Sequence, residues 1–322
     1  MSLSHYGLRA IRPLLASARR LSVFIFHRVL DAPDPLRPGE PTLAEFEERL
    51  SWIATAFRVV SLDDAVAGLN DGTLPARTAV ITFDDGYADN YSLAMPALRR
   101  AGMPATFFIA TGFLDRGIMF NDAVIECVRQ ANGDQIDLSA FGLTEMALPL
   151  VSDRGPIVHA LLERIKYAPL QERIALVSQL TQTTGAQLPT NLMMTSAQVA
   201  DMDKAGMGIG AHTVSHPILA RTDLAIAREE IAHGRDKLAQ IIGKPVAFFA
   251  YPNGRPTQDY RSEHVDLVKR LGFKAAVSTA WGATAIGEDT FQIRRFTPWD
   301  TNPLRFGARM IKNLHGQRLA LA

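Results

Sequence analysis

The stretch Ala79–Gly86, AVITFDDG, decides the fold, because an apolar and β-branched run ends there in two adjacent carboxylates. Its first five residues have the composition of a buried strand. Asp84 and Asp85 place two like charges side by side, which is costly unless a metal ion or a split in their pKa values offsets the repulsion. Asp-Gly is a turn signal, but the pattern from Ser92 onward is helical. The stretch therefore predicts a strand followed by a helix rather than a hairpin.

Apolar runs alternate with helix-period segments along the rest of the chain. The predicted strands are Ser22–Phe26, Thr78–Phe83, Ala105–Ile109, Gly208–Ala211, Ala247–Ala250, Ala275–Ser278 and Gln292–Phe296. The predicted helices are Leu43–Ala56, Leu62–Leu69, Ser92–Ala101, Ser196–Lys204, Leu224–Ile242 and Ser262–Leu271. Strands that alternate with helices run parallel with right-handed crossovers, and seven of them indicate a closed or nearly closed barrel. The fold class is therefore α/β, a distorted (β/α)7-type barrel of mainly parallel strands with a helical insertion.

The barrel domain is predicted to span residues 21–306. Residues from about 114 to 194 break its rhythm with long helical patterns, notably Pro156–Leu180, and are interpreted as a helical insertion packed on the barrel. Residues 307–322 are left as a C-terminal tail. Residues 1–20 form a basic amphipathic segment. A packing helix with solvated arginines is favoured there over attachment to a membrane surface.

Composition sets broad limits. The 322 residues are 47% hydrophobic and 21% charged, as in an ordinary globular protein, and the formal net charge of +1 gives no support for a nucleic-acid partner. The single cysteine, Cys127, excludes an internal disulfide framework and fits a buried core thiol. The chain has neither an 18-residue apolar run nor a signal-peptide pattern, so we expect a cytoplasmic protein without a membrane span. Its oligomeric state is left open.

Two histidines four residues apart, His212 and His216, lie in the stretch GAHTVSHP. On a helical turn that spacing points both imidazoles the same way. One Asp and two His are a sufficient ligand set for a divalent metal with an open coordination position, and a second Asp beside them is a natural base for water. The alternative is a pair at a helix start that makes only local hydrogen bonds. Thr213 and Ser215 are interpreted as capping or supporting groups.

Other polar residues also follow apolar strand runs at their C-terminal ends. His27 follows one such run and Tyr251 follows another. In β/α barrels the site is built at that face, so these residues are expected to approach the Asp and His residues. Asp89 and Asn90 are interpreted as caps of the next helix.

Residues Thr82–Gly86, followed far downstream by His212–Pro217, resemble the motifs of the polysaccharide deacetylase family, the NodB-homology or carbohydrate esterase 4 group. The resemblance covers Leu21 to about Phe306. It implies a metal-dependent hydrolase that removes N-acetyl groups from N-acetylated saccharides. The expected partner is therefore this sugar substrate. Asp85 is then the carboxylate that binds the metal with both histidines, and Asp84 is the general base. Zn²⁺ is the expected metal, with Co²⁺ or Ni²⁺ as alternatives.

The stretch Phe249–Gly254, FAYPNG, resembles the third motif of the poly-N-acetylglucosamine deacetylase branch. That resemblance implies that the backbone N–H of Tyr251 helps to hold the oxyanion. The alternative is a Pro-Asn-Gly turn without a catalytic role. Many members of the family carry Arg-Pro-Tyr here, with the arginine touching the catalytic Asp. Arg255 follows the glycine in this chain, and whether it reaches Asp84 is left open.

The general acid is assigned by a further resemblance. The family's late Leu-x-His motif is not found, and the late His315, preceded directly by Leu314, lies beyond the last strand. Instead, His27 in FIFHRV resembles the first-strand His motif of the circularly permuted branch, which implies that it protonates the leaving amine. A core histidine is the alternative.

Three further residues are predicted to bind substrate, namely Asn253, Arg295 and Trp299. The last two belong to the stretch RRFTPW that ends the final strand. Trp299 fits a sugar-stacking wall and a barrel-closing core residue equally well. Two other functions remain open, a hydrolase of another small or cyclic amide on the same scaffold and a catalytically silent carbohydrate-binding protein.

Overall fold

The computed structural model describes residues 8–9, 11–16, 19–315 and 320–322. Its strands are β1 Arg20–Phe26, β2 Arg58–Val59, β3 Thr78–Phe83, β4 Thr106–Ile109, β5 Gln135–Ile136, β6 Met146–Ala147, β7 Gly208–Ala211, β8 Phe248–Ala250, β9 Ala275–Trp281, β10 Thr284–Ala285 and β11 Ile293–Arg295. Its helices are α1 Arg12–Ala16, α2 Leu43–Ala56, α3 Leu62–Asn70, α4 Met95–Ala101, α5 Phe120–Gln130, α6 Gly155–Lys166, α7 Leu170–Thr184, α8 Ser196–Lys204, α9 Leu224–Ile242, α10 Ser262–Arg270 and α11 Pro303–His315.

Seven parallel strands form a nearly closed barrel in the order β1-β3-β4-β7-β8-β9-β11. The ring closes where Phe296, just beyond β11, exchanges backbone hydrogen bonds with Val23 and Ile25 of β1, at 2.7 and 3.0 Å. All seven predicted strands are present, and the predicted fold class is confirmed.

Alternate strand residues face opposite sides of the sheet, so the barrel has two apolar layers. One layer contains Val23, Val80 and Val277. The other contains Phe26, Phe83 and further aromatic residues that pack against the surrounding helices. Both layers are buried, and they hold the strand ends, where the polar residues lie, in place.

The predicted insertion contains helices α5, α6 and α7 and the short antiparallel pair β5-β6. The single long pattern predicted for Pro156–Leu180 is broken at Tyr167–Pro169, because proline cannot continue a helix. The insertion has its own apolar core, which includes the buried thiol of Cys127.

The two ends of the chain pack together. Leu8 and Leu15 are buried while Arg12 is exposed, as expected for a packing helix, although residues 1–7, 10 and 17–18 of the predicted amphipathic segment lie outside the described residues. The predicted C-terminal tail differs from the structure, because residues 303–315 form α11 and bury Met310 and Leu314 in the main core. Within the described ranges, no helix is long and apolar enough to cross a membrane.

Candidate active site

The two acids stand at the end of β3, as the sequence predicts. The backbone N–H of Asp84 donates to the carbonyl of Phe26 at 3.1 Å, and the carbonyl of Asp85 accepts from Ala110 at 3.2 Å, so both neighbouring strands fix this turn. Asp85 has a backbone φ of +77°, in the left-handed region that L-residues rarely adopt. That conformation lets two consecutive carboxylates, both buried, lie in the same site.

Three side chains converge into a candidate metal centre. Oδ1 of Asp85 lies 3.5 Å from Nε2 of His212 and 3.6 Å from Nε2 of His216. Two ligand atoms that each lie about 2.1 Å from one ion in a tetrahedral arrangement are about 3.4 Å apart. The donor atoms therefore fit a single divalent cation, and all three lie within 4.8 Å of one another.

The histidine pair is not on a helical turn, so that part of the prediction is wrong. Residues 212–216 form an irregular loop in which Thr213 and His216 have φ of +66° and +54°. Glu230 of α9 supports the loop, since its carboxylate accepts from the backbone N–H groups of Val214 and Ser215, at 2.9 and 2.8 Å, and from the Ser215 hydroxyl. The hydroxyl of Thr213 accepts from the His216 N–H at 3.1 Å.

The ring orientation of His212 and the neutral charge of His216 suit metal binding. Nδ1 of His212 is hydrogen-bonded to the carbonyl of Ala250 at 2.7 Å, which turns Nε2 toward Asp85. Burial opposes a charged His212, but the hydrogen bond with Asp85 and the charges of both acids outweigh it and raise its pKa. Burial lowers the pKa of His216 to about 3, so this ring is neutral and its lone pair is available to a cation.

Asp84 is held by Arg295 and not by Arg255. The guanidinium of Arg295 donates from Nη1 to Oδ1 and from Nη2 to Oδ2 of Asp84, both at 2.7 Å, while its Nε donates to the carbonyl of Ser278. Burial alone would raise the pKa of Asp84, but the charge of Arg295 outweighs it and lowers the pKa. Arg295 is 2% exposed. The predicted substrate-binding role of Arg295 is therefore replaced by that of a buried partner for Asp84.

His27 lies in the same cavity as the two acids, whereas His315 does not. His27 lines the cavity, and its carbonyl accepts from Nδ2 of Asn90 at 2.8 Å. Glu40 lines the cavity beside it, and burial raises the pKa of this carboxyl against the opposing charge of His27. His315 is exposed on α11, and its Nε2 lies 3.4 Å from the carbonyl of Leu14.

The cavity has a volume of about 340 Å³. The barrel supplies the acids and histidines, and the insertion supplies the opposite wall with Met119, Phe120, Leu162 and Lys166. A polar floor at strand ends and a partly apolar wall are the features of a ligand pocket.

Comparison with known proteins shows the family of the chain. The polysaccharide deacetylase family profile matches residues 71–149 and 158–276. YxkH of Bacillus subtilis (strain 168), a polysaccharide deacetylase by name, is 32% identical over 278 residues, which cover 86% of this chain and 70% of that protein. The chain belongs to the polysaccharide deacetylase family. It is thus a hydrolase of the de-N-acetylase class, as the sequence predicts.

Solved deacetylases share the fold at low sequence identity. The Streptococcus pyogenes deacetylase PplD, in complex with acetate, superposes with a TM-score of 0.59 at 17% identity, covering 92% of this chain and 98% of that one. IcaB from Ammonifex degensii superposes with a TM-score of 0.56 at 18% identity, covering 91% and 97%. These likenesses concern the fold alone.

The role predicted for Tyr251 is not realised in this deacetylase. Its backbone N–H continues the sheet by donating to Val277 at 3.2 Å, so it is not directed at the cavity as an oxyanion donor. Its ring is buried against Tyr260, and its hydroxyl donates to the carbonyl of Phe291. Asn253, two residues later, does line the cavity, with φ of +58°. Among the described residues neither its backbone N–H nor its side-chain amide has a hydrogen-bond partner.

Trp299 serves neither of its two predicted roles. Its side chain is 62% exposed, so it does not close the barrel core, and it lies beside Arg309 of α11 rather than among the residues that line the cavity. The strand β11 ends at Arg295, and residues 296–299 are not among those that line the cavity.

Asp89 is not a helix cap either. Its carboxylate accepts from Nε of Arg28 at 2.8 Å and from the backbone N–H of Val29, while Asn90 holds the carbonyl of His27. Sequence reasoning missed this support for His27, and it also missed Glu40 and Glu230. Glu40 lies between predicted elements and Glu230 lies in a charged part of a predicted helix, so no local signal distinguished them from surface acids.

Proposed function

We propose that this deacetylase removes N-acetyl groups from an N-acetylated saccharide with the help of a divalent metal, Zn²⁺ in first place. The observation that carries the proposal is the set of Asp85, His212 and His216, spaced for one cation, beside an Asp84 that is held ionised by Arg295. A cavity of about 340 Å³ suits one sugar unit with its acetyl group at this point.

Asp85, His212 and His216 would hold the metal, which when bound supplies a Lewis acid that polarises the acetyl carbonyl and lowers the pKa of water. Asp84 accepts the proton of the attacking water. Its Oδ2 lies 4.0 Å from Nε2 of His212, so the base faces the metal ligands. The fork of Arg295 fixes the carboxylate plane and lowers the pKa of Asp84, which keeps it ionised and able to act as a base at neutral pH.

His27 donates a proton to the leaving amine, because imidazole can carry that proton near neutral pH and its ring lines the cavity with both acids. Asn253 replaces Tyr251 as the protein's donor to the developing oxyanion. Its unpaired amide groups line the cavity, and a donor aimed at developing charge is a large source of rate enhancement.

Acetate release from N-acetylated saccharides tests this function. The protein should release acetate, lose activity after treatment with a chelator and regain it with Zn²⁺. Asp84→Asn should keep the metal and lose about 10²–10⁴-fold in turnover, as expected for removal of a general base. Acetate release from no saccharide by metal-loaded protein, or undiminished release by Asp84→Asn, would contradict the proposal.

A further inference from the structure

Among the described residues, one buried cation behind the metal centre forms no ion pair with a carboxylate. Arg173 of α7 is only 6% exposed. Its guanidinium lies over the ring of Phe120, 4.8 Å from the centroid, and its one hydrogen bond in the described structure is a long one of 3.5 Å to the carbonyl of Ser215. Glu230 is the nearest acid that acts on it, but both oxygens of that carboxylate are bonded to the histidine loop. A buried charge left in this way is costly unless a ligand completes it.

A second cation of the insertion lies beside it. Lys166 is half-buried in the wall of the active-site cavity, with its ammonium 5.5 Å from the ring of Tyr167. Burial lowers its pKa, while the charge of Asp259 opposes that shift. The described residues form no ion pair with Lys166, and the carboxylate of Asp259 instead accepts from the backbone N–H of Arg255.

Two cavities lie against these cations, next to the active-site cavity. A small cavity of about 40 Å³ is lined by both Lys166 and Arg173, and is of the size of one carboxylate group. A larger apolar cavity of about 280 Å³ is lined by Arg173 and by aliphatic side chains of α7, among them Ile174, which is 55% exposed. The larger cavity shares Met119, Phe120 and His216 with the active-site cavity.

We propose that the insertion forms a subsite for a carboxylate carried on a short apolar arm of the acylated saccharide. Arg173 and Lys166 bind the carboxylate, and the aliphatic side chains of α7 pack against the arm. The planar guanidinium group of arginine can donate two parallel hydrogen bonds to a carboxylate. A cation in an apolar wall favours a ligand group that carries one negative charge. This inference rests on the proposed function and assigns it an acidic rather than a neutral substrate.

Two chemical groups could supply this arm, and pairs of matched substrates distinguish between them. A lactyl ether on the sugar ring is tested with an N-acetylglucosamine oligosaccharide against its counterpart that carries 3-O-lactyl groups. A longer acyl group on nitrogen is tested with N-acetyl against N-succinyl glucosamine oligosaccharides. We expect a higher kcat/KM for the acidic member of one pair. Equal values of kcat/KM within both pairs would overturn the inference.

Variants of the cations provide the decisive comparison. Arg173→Met should reduce the acidic-to-neutral ratio of kcat/KM at least tenfold, mainly through KM, and Arg173→Lys should restore part of it. Lys166→Met should reduce the same ratio, whereas Arg164→Met, an exposed arginine of the same insertion, should leave it unchanged. If Arg173 had only a structural role, Arg173→Met would lower the Tm. If its charge is unpaired in the free protein, Arg173→Met should keep or raise the Tm. A lower Tm with an unchanged ratio would refute the subsite.

Binding to inactive protein separates this inference from the proposed function. N-acetylmuramic acid and N-acetylglucosamine, which differ by the lactyl group, are titrated into metal-loaded Asp84→Asn by calorimetry. Tighter binding of the acidic sugar that is lost with Arg173→Met would support the subsite even if no acetate were ever released. Acetate release without any such preference would leave the proposed function standing and overturn the subsite.

Discussion

Replacing Arg295 by methionine should remove the charge that keeps Asp84 ionised while preserving the length of the side chain. The carboxylate of Asp84 accepts hydrogen bonds from both terminal nitrogens of Arg295 at 2.7 Å, and both side chains are almost fully buried. Removing one partner of a buried ion pair costs about 3–5 kcal/mol, because the other charge is left uncompensated. In a chain of this length that corresponds to a fall in Tm of about 4–8 °C.

The effect on catalysis follows from the sign of the pKa shift. Burial raises the pKa of Asp84 and Arg295 lowers it, so without Arg295 the pKa must rise. Asp84 is then protonated over more of the acidic range, and the acidic limb of the kcat/KM profile for acetate release should move to higher pH. Metal content, measured by elemental analysis, should be retained, because Asp85, His212 and His216 are untouched. Arg295→Lys should recover part of the activity through a point charge without the fork.

Arg255→Met is the matched control, since Arg255 follows the third motif and its contact with Asp84 was left open by the sequence. Its side chain is exposed, and its described hydrogen bond to Asp259 uses only the backbone N–H, which the substitution keeps. Normal activity is expected. The reasoning would be refuted if Arg255→Met lost activity and shifted the pH profile while Arg295→Met left both unchanged.

Four more predictions concern single side chains. Asp85→Ala should abolish stoichiometric metal binding in elemental analysis, and retained metal would exclude Asp85 as a ligand. His27→Ala should lower amide turnover by about 10²–10⁴-fold and that of an activated ester far less, whereas equal losses would point to misfolding. Gly234→Ala should lower Tm and metal affinity, because its methyl group would lie 2.7 Å from the carbonyl of Thr213, and unchanged affinity would show that α9 can move away. Burial would raise the pKa of Asp34, but hydrogen bonds from two arginines outweigh it and lower the pKa. Asp34→Asn should therefore reduce the free energy of unfolding in urea by about 1–3 kcal/mol above pH 4. The difference from the unmodified protein should shrink at lower pH. A constant difference would contradict this.

The barrel could be predicted because its signals are local. Helix Leu43–Ala56 was predicted with its observed bounds, and its Thr42 forms a capping box with Glu45. Helix Ser196–Lys204 was predicted equally well, with Thr195 and Gln198 forming another. Apolar alternation in the strands and caps at the helices act over a few residues, and the order of elements then leaves few topologies.

The partner of Asp84 could not be predicted in that way. Asp84 and Arg295 are 211 residues apart and meet only because β9 and β11 bring the end of the chain back to β1 and β3. The sequence left open whether Arg255 reaches Asp84, since spacing cannot show which side chain the closed barrel turns inward. The same limit applies to Tyr251, whose backbone N–H is used because the ladder extends one residue past β8.

Local rules failed at the residues that form the site. Asp85, Thr213, His216 and Asn253 all have a positive φ, a conformation that costs about 1–3 kcal/mol for such residues. Each is held by contacts from elsewhere in the chain, and the clearest is the carboxylate of Glu230, which bonds the loop between the two histidines. The barrel core supplies the rigidity that keeps these loops in their strained form. Four other described residues with a positive φ, Arg77, Asp115, Arg116 and Thr257, do not line the cavity, so this conformation marks the active site only where polar side chains also converge.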